Sequence, residues 1–161
     1  MELTLIILLV VLGCFSFVLW VGAPYLPTHS QQAEQALDKL NLRPGDTLYE
    51  LGCGDGKVLL MAARRGVKSV GWELNPILFL WALIRTRRYR ELITIKFGNF
   101  WNADLTQADA VYVFLLDRFM PRLDKKLTSE LKHGTRVASY TFKIPGKKAL
   151  SQDSAVFIYE Y

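Results

Sequence analysis

The stretch Tyr49-Glu50-Leu51-Gly52-Cys53-Gly54-Asp55-Gly56 decides the fold of this 161-residue chain. A mostly apolar extended run, residues 47–51, leads into three glycines at alternate positions, and a helical pattern over residues 57–65 follows. This order predicts a strand, a tight turn and a helix start, where a ligand can reach free backbone N–H groups. We interpret the turn as the binding site of a nucleoside-containing cofactor.

The alternation of strand and helix continues along the rest of the chain. Further strands are predicted over residues 69–73, 92–97, 110–115, 135–142 and 155–159, and residues 144–153 are predicted as a turn. Thr28 or Ser30 is predicted to cap a helix that ends near Leu40. Asn75-Pro76 is predicted to begin the helix over 77–90, with Pro76 at the first helical position, and another helix is predicted over 120–132. Strands that alternate with helices pair in parallel through right-handed crossovers. We therefore predict a Rossmann-like α/β sheet, mostly parallel, with an antiparallel C-terminal edge.

The N-terminal stretch has a different composition. Residues 3–21 carry no charged side chain, and as a helix they would be about 28 Å long, close to the hydrocarbon thickness of a bilayer. We predict a transmembrane anchor over residues 1–22 and a domain over residues 23–161. Because the basic residues follow the apolar run, the domain is expected on the cytoplasmic side of a single-pass membrane protein. A cleaved signal peptide and a buried helix are the alternatives.

The remaining composition excludes few classes of function. Lys and Arg number 20 against 15 Asp and Glu, for a net charge of +5. That balance suits nucleic acid, anionic lipid or an acidic partner, and equally a solvated basic surface. The two cysteines, Cys14 and Cys53, indicate neither a disulfide framework nor a zinc cluster, and no metal site is predicted.

Two acidic residues at predicted strand ends narrow the class of cofactor. Dinucleotide sites use Gly-x-Gly-x-x-Gly, whereas Lys57 occupies the third glycine position here. Glu50 would repel a diphosphate but attract the ammonium of a methionine group, and Glu73 can accept hydrogen bonds from ribose hydroxyls. We therefore predict S-adenosylmethionine, with S-adenosylhomocysteine as product, bound by these two acids and by Gly52, Gly54 and Gly56.

Residues after the third and fourth strands complete the predicted site. Asn99 can read the adenine edge and Phe100 can stack on the base, although simple packing of the aromatic ring is an alternative. Asp117 is the candidate catalytic residue, placed to orient the acceptor amine, or else it caps the next helix. The Asn/Asp-Pro-Pro-Tyr motif of nucleic-acid amino methyltransferases is absent, so no nucleic acid substrate is expected.

Several motifs resemble a known family. They are Pro24-Tyr25-Leu26-Pro27-Thr28, the Glu50-to-Val58 stretch, Val70-Gly71-Trp72-Glu73-Leu74-Asn75-Pro76 and the helix with Leu123, Lys126 and Leu127. The chain resembles class I methyltransferases related to the membrane-anchored lysine methyltransferases of the ATP synthase c-subunit and the adenine nucleotide translocase. In that family a loop before the first helix covers the cofactor's methionine end, and Tyr25 and Thr28 match it. The acid usual after the third strand is Asn99 here.

The resemblance implies an S-adenosylmethionine-dependent protein-lysine N-methyltransferase that acts on a membrane protein or membrane-proximal substrate. It also implies that the bilayer is a partner, reached through the N-terminal helix. Two alternatives come from other classes of function: a small-molecule or lipid methyltransferase, for which the apolar run over residues 77–84 could admit a lipid, and a non-catalytic cofactor-binding membrane module.

Overall fold

The computed structural model describes residues 3–9, 12–13 and 28–161. Residues 3–9 and 12–13 are helical. The helices of the remainder are α1 Ser30–Leu40, α2 Lys57–Arg64, α3 Pro76–Thr86 and α4 Met120–Glu130, with short 3-10 turns at Arg87–Tyr89, Phe100–Asn102 and Asp117–Phe119. The strands are β1 Thr47–Leu51, β2 Lys68–Glu73, β3 Ile93–Phe97, β4 Ala110–Val113, β5 Arg136–Tyr140, β6 Ser151–Asp153 and β7 Val156–Glu160.

One seven-stranded sheet organises the domain, in the order β3-β2-β1-β4-β5-β7-β6. Strands β1 to β5 pair in parallel, and β7 pairs antiparallel with both β5 and β6. The predicted Rossmann-like sheet with an antiparallel edge is therefore confirmed. The chain order reverses beside β1, so the carboxyl ends of β1 and β4 flank the point where such sheets bind ligands.

Two local predictions were wrong. The segment predicted as a turn over residues 144–153 contains the edge strand β6, whose three polar residues lack the apolar alternation that signals a strand. The first helix is capped by His29, without a side-chain capping hydrogen bond, rather than by Thr28 or Ser30. At β6, pairing with β7 rather than local sequence preference sets the limits of the element.

The predicted single-pass membrane location, with the domain on the cytoplasmic side, is corrected by the structure. Within the described residues, no helix is long and apolar enough to cross a bilayer. The rest of the predicted anchor, residues 1–2, 10–11 and 14–22, lies outside the described residues.

Core side chains fill both faces of the sheet. On one face, α1 and α2 pack over β1, β4 and β5, burying Leu37, Leu48 and Ala138. On the other face, Leu123 and Leu127 of α4 are fully buried. Because apolar side chains cover both faces of the sheet, polar side chains of a binding site can come together at the carboxyl ends of the parallel strands.

Helix α3 presents an apolar face to the outside. Leu80, Trp81 and Ile84 are between 56% and 58% exposed, while only Ala82 and Thr86 of this helix are buried. The sequence left open whether the apolar run over residues 77–84 is apolar because the helix is buried. The exposure of Leu80, Trp81 and Ile84 shows that burial does not explain the apolar residues on the outer face.

We expect that outer face to contribute little to stability. Ile84→Gln should change the free energy of unfolding by less than about 0.5 kcal/mol, because exposed side chains lose few contacts. Leu123→Ala, at a fully buried position of α4, should cost about 2–5 kcal/mol in the same urea titration. A large loss from Ile84→Gln would show that this face is covered in solution.

Candidate functional site

The glycine-rich turn has the backbone conformation that its sequence requires. Gly52, Gly54 and Gly56 have φ angles of 85°, 53° and 73°, in the left-handed region that glycine adopts without steric cost. The Cys53 N–H donates to the Trp72 carbonyl at 2.8 Å, which ties the turn to β2. A Cβ built on Gly52 would meet no atom within 4 Å. The turn therefore borders open space into which a ligand can fit.

Glu50 is a buried acid without a counter-charge in the described part of the chain. Its side chain is 5% exposed, and Oε2 has no hydrogen-bond partner. Burial raises the pKa of its carboxyl well above the ordinary value of 4.5, and the negative charge of Asp55 raises this pKa further. A cation brought beside Oε2 would satisfy this orphaned atom, and the arrangement fits the ammonium of an amino-acid moiety.

Glu73 holds the turn as well as facing the site. Its Oε2 accepts the Gly54 N–H at 2.8 Å and its Oε1 accepts the Asn75 N–H at 2.7 Å. Burial raises the pKa of this carboxyl, against the lowering effect of the backbone N–H groups of Asn75, Gly54 and Leu74. Each carboxylate oxygen can accept more than one hydrogen bond, so the ribose contact predicted from the sequence is compatible with this structural role.

Asn99 and Phe100 lie beyond β3, as the sequence predicted. The Asn99 side chain accepts the Trp101 N–H at 3.1 Å and so begins the short 3-10 turn. The Phe100 ring lies 4.7 Å from the Trp101 ring and packs against the core. Packing accounts for the position of Phe100, and its stacking on adenine stays a prediction.

Asp117 is exposed and opens the 3-10 turn after β4. Helix α4 begins at Met120 with Phe119 as its cap residue, and neither helical start has a side-chain capping hydrogen bond. The alternative that Asp117 serves as a helix cap is therefore not what the structure shows. Its role toward an acceptor stays a prediction.

Thr28 lies over the start of α2 and the end of β4. Its carbonyl accepts a hydrogen bond from Lys57 Nζ at 2.8 Å, and its hydroxyl accepts one from the Tyr112 hydroxyl at 3.4 Å. Tyr25 lies outside the described residues.

Sequence reasoning did not connect Lys57 or Tyr112 with the site. The alternation of side chains along β4 could have pointed to Tyr112. The structure pairs this tyrosine in register with Glu50, so the two side chains lie on the same face of the sheet.

The comparison with protein families decides the membership of this chain. A sequence profile of the ANTKMT methyltransferase domain matches residues 50–151, which run from Glu50 to the start of β6. The chain belongs to that family. The match includes both predicted acids, the glycine turn and the strands around them.

Two relatives of this chain are named as lysine methyltransferases. The lysine N-methyltransferase of the ATP synthase c-subunit from Rattus norvegicus is 36% identical over 129 residues, covering 78% of this chain and 58% of that protein. A protein-lysine N-methyltransferase of Saccharolobus islandicus is 37% identical over 127 residues, covering 76% of this chain and 79% of that one. The chain thus spans little more than half the length of the rat relative.

A solved structure matches the fold across most of the chain. An RNA methyltransferase from Salinibacter ruber, determined in complex with S-adenosyl-L-homocysteine, has a TM-score of 0.78 and 27% identity. The match covers 84% of this chain and 92% of that one.

Proposed function

We propose that this chain is an S-adenosylmethionine-dependent protein-lysine N-methyltransferase. One observation carries the proposal: Glu50 presents a buried carboxylate oxygen without a partner beside a turn that is open at Gly52. The unpartnered oxygen fits the ammonium group of a ligand, and the open space at Gly52 lets the rest of that ligand pass close to the backbone. Membership of the ANTKMT methyltransferase family supports the methyl donor as that ligand.

In this proposal, different residues bind different parts of the cofactor. Glu50 binds the methionine ammonium, Glu73 accepts the ribose hydroxyls, and the three glycines let the ligand approach the backbone. Asn99 and Phe100 hold the adenine, and Tyr25 and Thr28 cover the methionine end. The bound cofactor supplies a methyl group on a positively charged sulfonium and leaves as a neutral thioether.

The acceptor is the side-chain amine of a protein lysine. A lysine ammonium must lose its proton before the nitrogen lone pair can attack, and an apolar surrounding lowers its pKa so that water can take the proton. Asp117 is the proposed residue that orients the incoming amine. The names of the rat and Saccharolobus islandicus relatives support a lysine acceptor, and the rat name supports an ATP synthase subunit as the kind of protein that carries it.

Gly52→Ala should weaken the binding of S-adenosylmethionine without unfolding the protein. A methyl group there would enter the space proposed for the cofactor, and the positive φ adds about 1–2 kcal/mol of strain. Gly134→Ala is the matched control, because Gly134 has a φ of 87°, against 85° at Gly52, and equally open surroundings. Calorimetric titration should show the loss in Gly52→Ala alone. Equal affinity in the two variants would contradict the placement of the cofactor.

An RNA acceptor is the second candidate, because the Salinibacter ruber structure with the long match is that of an RNA methyltransferase. Cell extract incubated with the protein and methyl-labelled S-adenosylmethionine separates the acceptors. Label that protease removes supports the lysine acceptor, label that ribonuclease removes supports RNA, and label in the lipid phase supports a lipid acceptor. An absence of cofactor binding would contradict all three.

A further inference from the structure

Two aromatic rings meet at the carboxyl ends of β4 and β5: Phe114 directly follows β4, and Tyr140 is the last residue of β5. The centroids of Phe114 and Tyr140 lie 4.6 Å apart, with the planes at 67° in an edge-to-face arrangement. No motif or predicted role in the sequence involved either residue. Their position beside the proposed cofactor site raises the question of what they bind.

The strand register places the ring pair on the same face of the sheet as Glu50. Glu50 pairs with Tyr112, and Tyr112 pairs with Ala138. Alternate residues of a strand point to the same face, so Phe114 and Tyr140 follow on that face, one step nearer the carboxyl ends. Ligands of such sheets bind beyond those ends, and the ring pair therefore borders the proposed methyl donor on its β4–β5 side.

The hydroxyl of Tyr140 differs from those of three other tyrosines. The Tyr112 hydroxyl bonds to Thr28, that of Tyr159 accepts the Ile144 N–H, and that of Tyr161 bonds to Asp124. Within residues 28–161, the Tyr140 hydroxyl makes no hydrogen bond, although its side chain is 7% exposed as a whole. This oxygen is available to accept a hydrogen bond from a ligand.

The backbone after Tyr140 is held in a rare conformation. Thr141 has a φ of 73°, which is unusual for a β-branched residue. Its N–H donates to the Ala155 carbonyl at 2.6 Å, and the Ser139 hydroxyl donates to the Phe142 carbonyl at 2.6 Å. These bonds fix the backbone on both sides of Tyr140, at the turn that ends β5. Strain of this kind is stored where position matters to function.

We propose that Phe114 and Tyr140 form the binding site of the acceptor lysine amine, an inference that rests on the proposed function. The Tyr140 hydroxyl accepts a hydrogen bond from one N–H of the neutral amine, so that the lone pair faces the methyl donor. The Phe114 ring packs against the lysine methylenes. Both rings stabilise the alkylammonium product, because aromatic faces attract cations.

The step balances without another reactant. The lysine ammonium first releases one proton to water. The nitrogen lone pair then forms the N–C bond while the S–C bond breaks, and the electron pair of that bond stays on sulfur. The methylated ammonium carries the positive charge that the sulfonium loses.

Tyr140→Phe tests the assignment because it removes one oxygen atom and keeps the ring. The probe is the protein fraction of a cell extract with methyl-labelled S-adenosylmethionine, and the initial rate of labelling is measured. The rate should fall about tenfold, the effect of one hydrogen bond to the reacting group. The affinity for S-adenosylhomocysteine, measured by calorimetry, should stay within about twofold of wild type.

A second variant and a control keep the test specific. Phe114→Leu, which keeps an apolar side chain, should slow labelling several-fold with the same unchanged affinity for S-adenosylhomocysteine. Tyr89→Phe is the control, because Tyr89 follows α3 and lies outside the proposed site. Mass spectrometry should also show a changed ratio of mono-, di- and trimethyl-lysine in Tyr140→Phe.

The possible results separate this site from the proposed function. Labelling by Tyr140→Phe at the wild-type rate would overturn the role of Tyr140, and so would a parallel loss of affinity for S-adenosylhomocysteine. Failure of the wild-type protein to label any protein lysine would instead overturn the proposed function, and the acceptor site with it.

Discussion

Replacing Glu50 by glutamine is expected to weaken the binding of S-adenosylmethionine by about a hundredfold, because a buried ammonium loses its counter-charge. The glutamine side chain has nearly the same shape, so the loss reports charge rather than packing. Calorimetric titration of the full chain measures it. Glu91→Gln, which removes an exposed carboxyl, is the control and should bind as wild type does. Unchanged affinity in Glu50→Gln would contradict the role of Glu50.

The same substitution should raise stability at neutral pH. Burial raises the pKa of the folded Glu50 carboxyl, so folding favours its protonated form. The contribution of the Glu50 carboxyl to the free energy of unfolding is therefore fully present below its ordinary pKa of 4.5. It is lost as the pH rises through the raised pKa of this carboxyl in the folded protein. Glutamine does not titrate. The stability advantage of Glu50→Gln, measured by urea unfolding, should therefore grow as the pH rises above the ordinary pKa of 4.5 and through the raised folded pKa.

Gly71→Ala is expected to destabilise the protein by about 3 kcal/mol, through overpacking. A Cβ at Gly71 would lie 2.6 Å from Leu59 Cδ1 and 2.7 Å from Cys53 Cβ, much closer than atoms normally approach. Because Cys53 belongs to the glycine turn, the displaced turn should also lose affinity for S-adenosylmethionine. Urea unfolding and calorimetry measure the two effects.

A double substitution shows whether the clash is the cause. Cys53→Gly removes two of the three atoms nearest to the new methyl group, Cβ and Sγ, and the third belongs to the flexible end of Leu59. The double variant Gly71→Ala/Cys53→Gly should therefore be less destabilised than the sum of the two single changes, by about 1 kcal/mol or more. Strict additivity would mean that Gly71 matters for another reason.

The sequence predicted the parts of the fold that local pattern determines. The bounds of β1 agree with the prediction, and Asn75 and Pro76 begin α3 as the sequence indicated. A glycine turn and a proline at a helix start have conformations that few other residues allow. For the same reason, local pattern alone places Glu50 and Glu73 at the ends of their strands.

Contacts between distant segments account for what sequence reasoning missed. The strand β6 exists because it pairs with β7, and the Glu73 bond to the Gly54 N–H joins residues 19 apart in sequence. The edge-to-face pair of Phe114 and Tyr140 depends on the register of β4 against β5. Hydrophobicity over residues 3–21 indicated an anchor, but no helix among the described residues is long and apolar enough to cross a bilayer.

The most direct test of the proposed function is mass spectrometry of proteins incubated with this chain and S-adenosylmethionine carrying a deuterated methyl group. We expect the deuterated methyl on lysine side chains of an acceptor protein, with wild type and with Glu91→Gln but not with Glu50→Gln. Deuterated methyl groups found only on RNA or lipid, or on lysine to the same extent with Glu50→Gln, would contradict it.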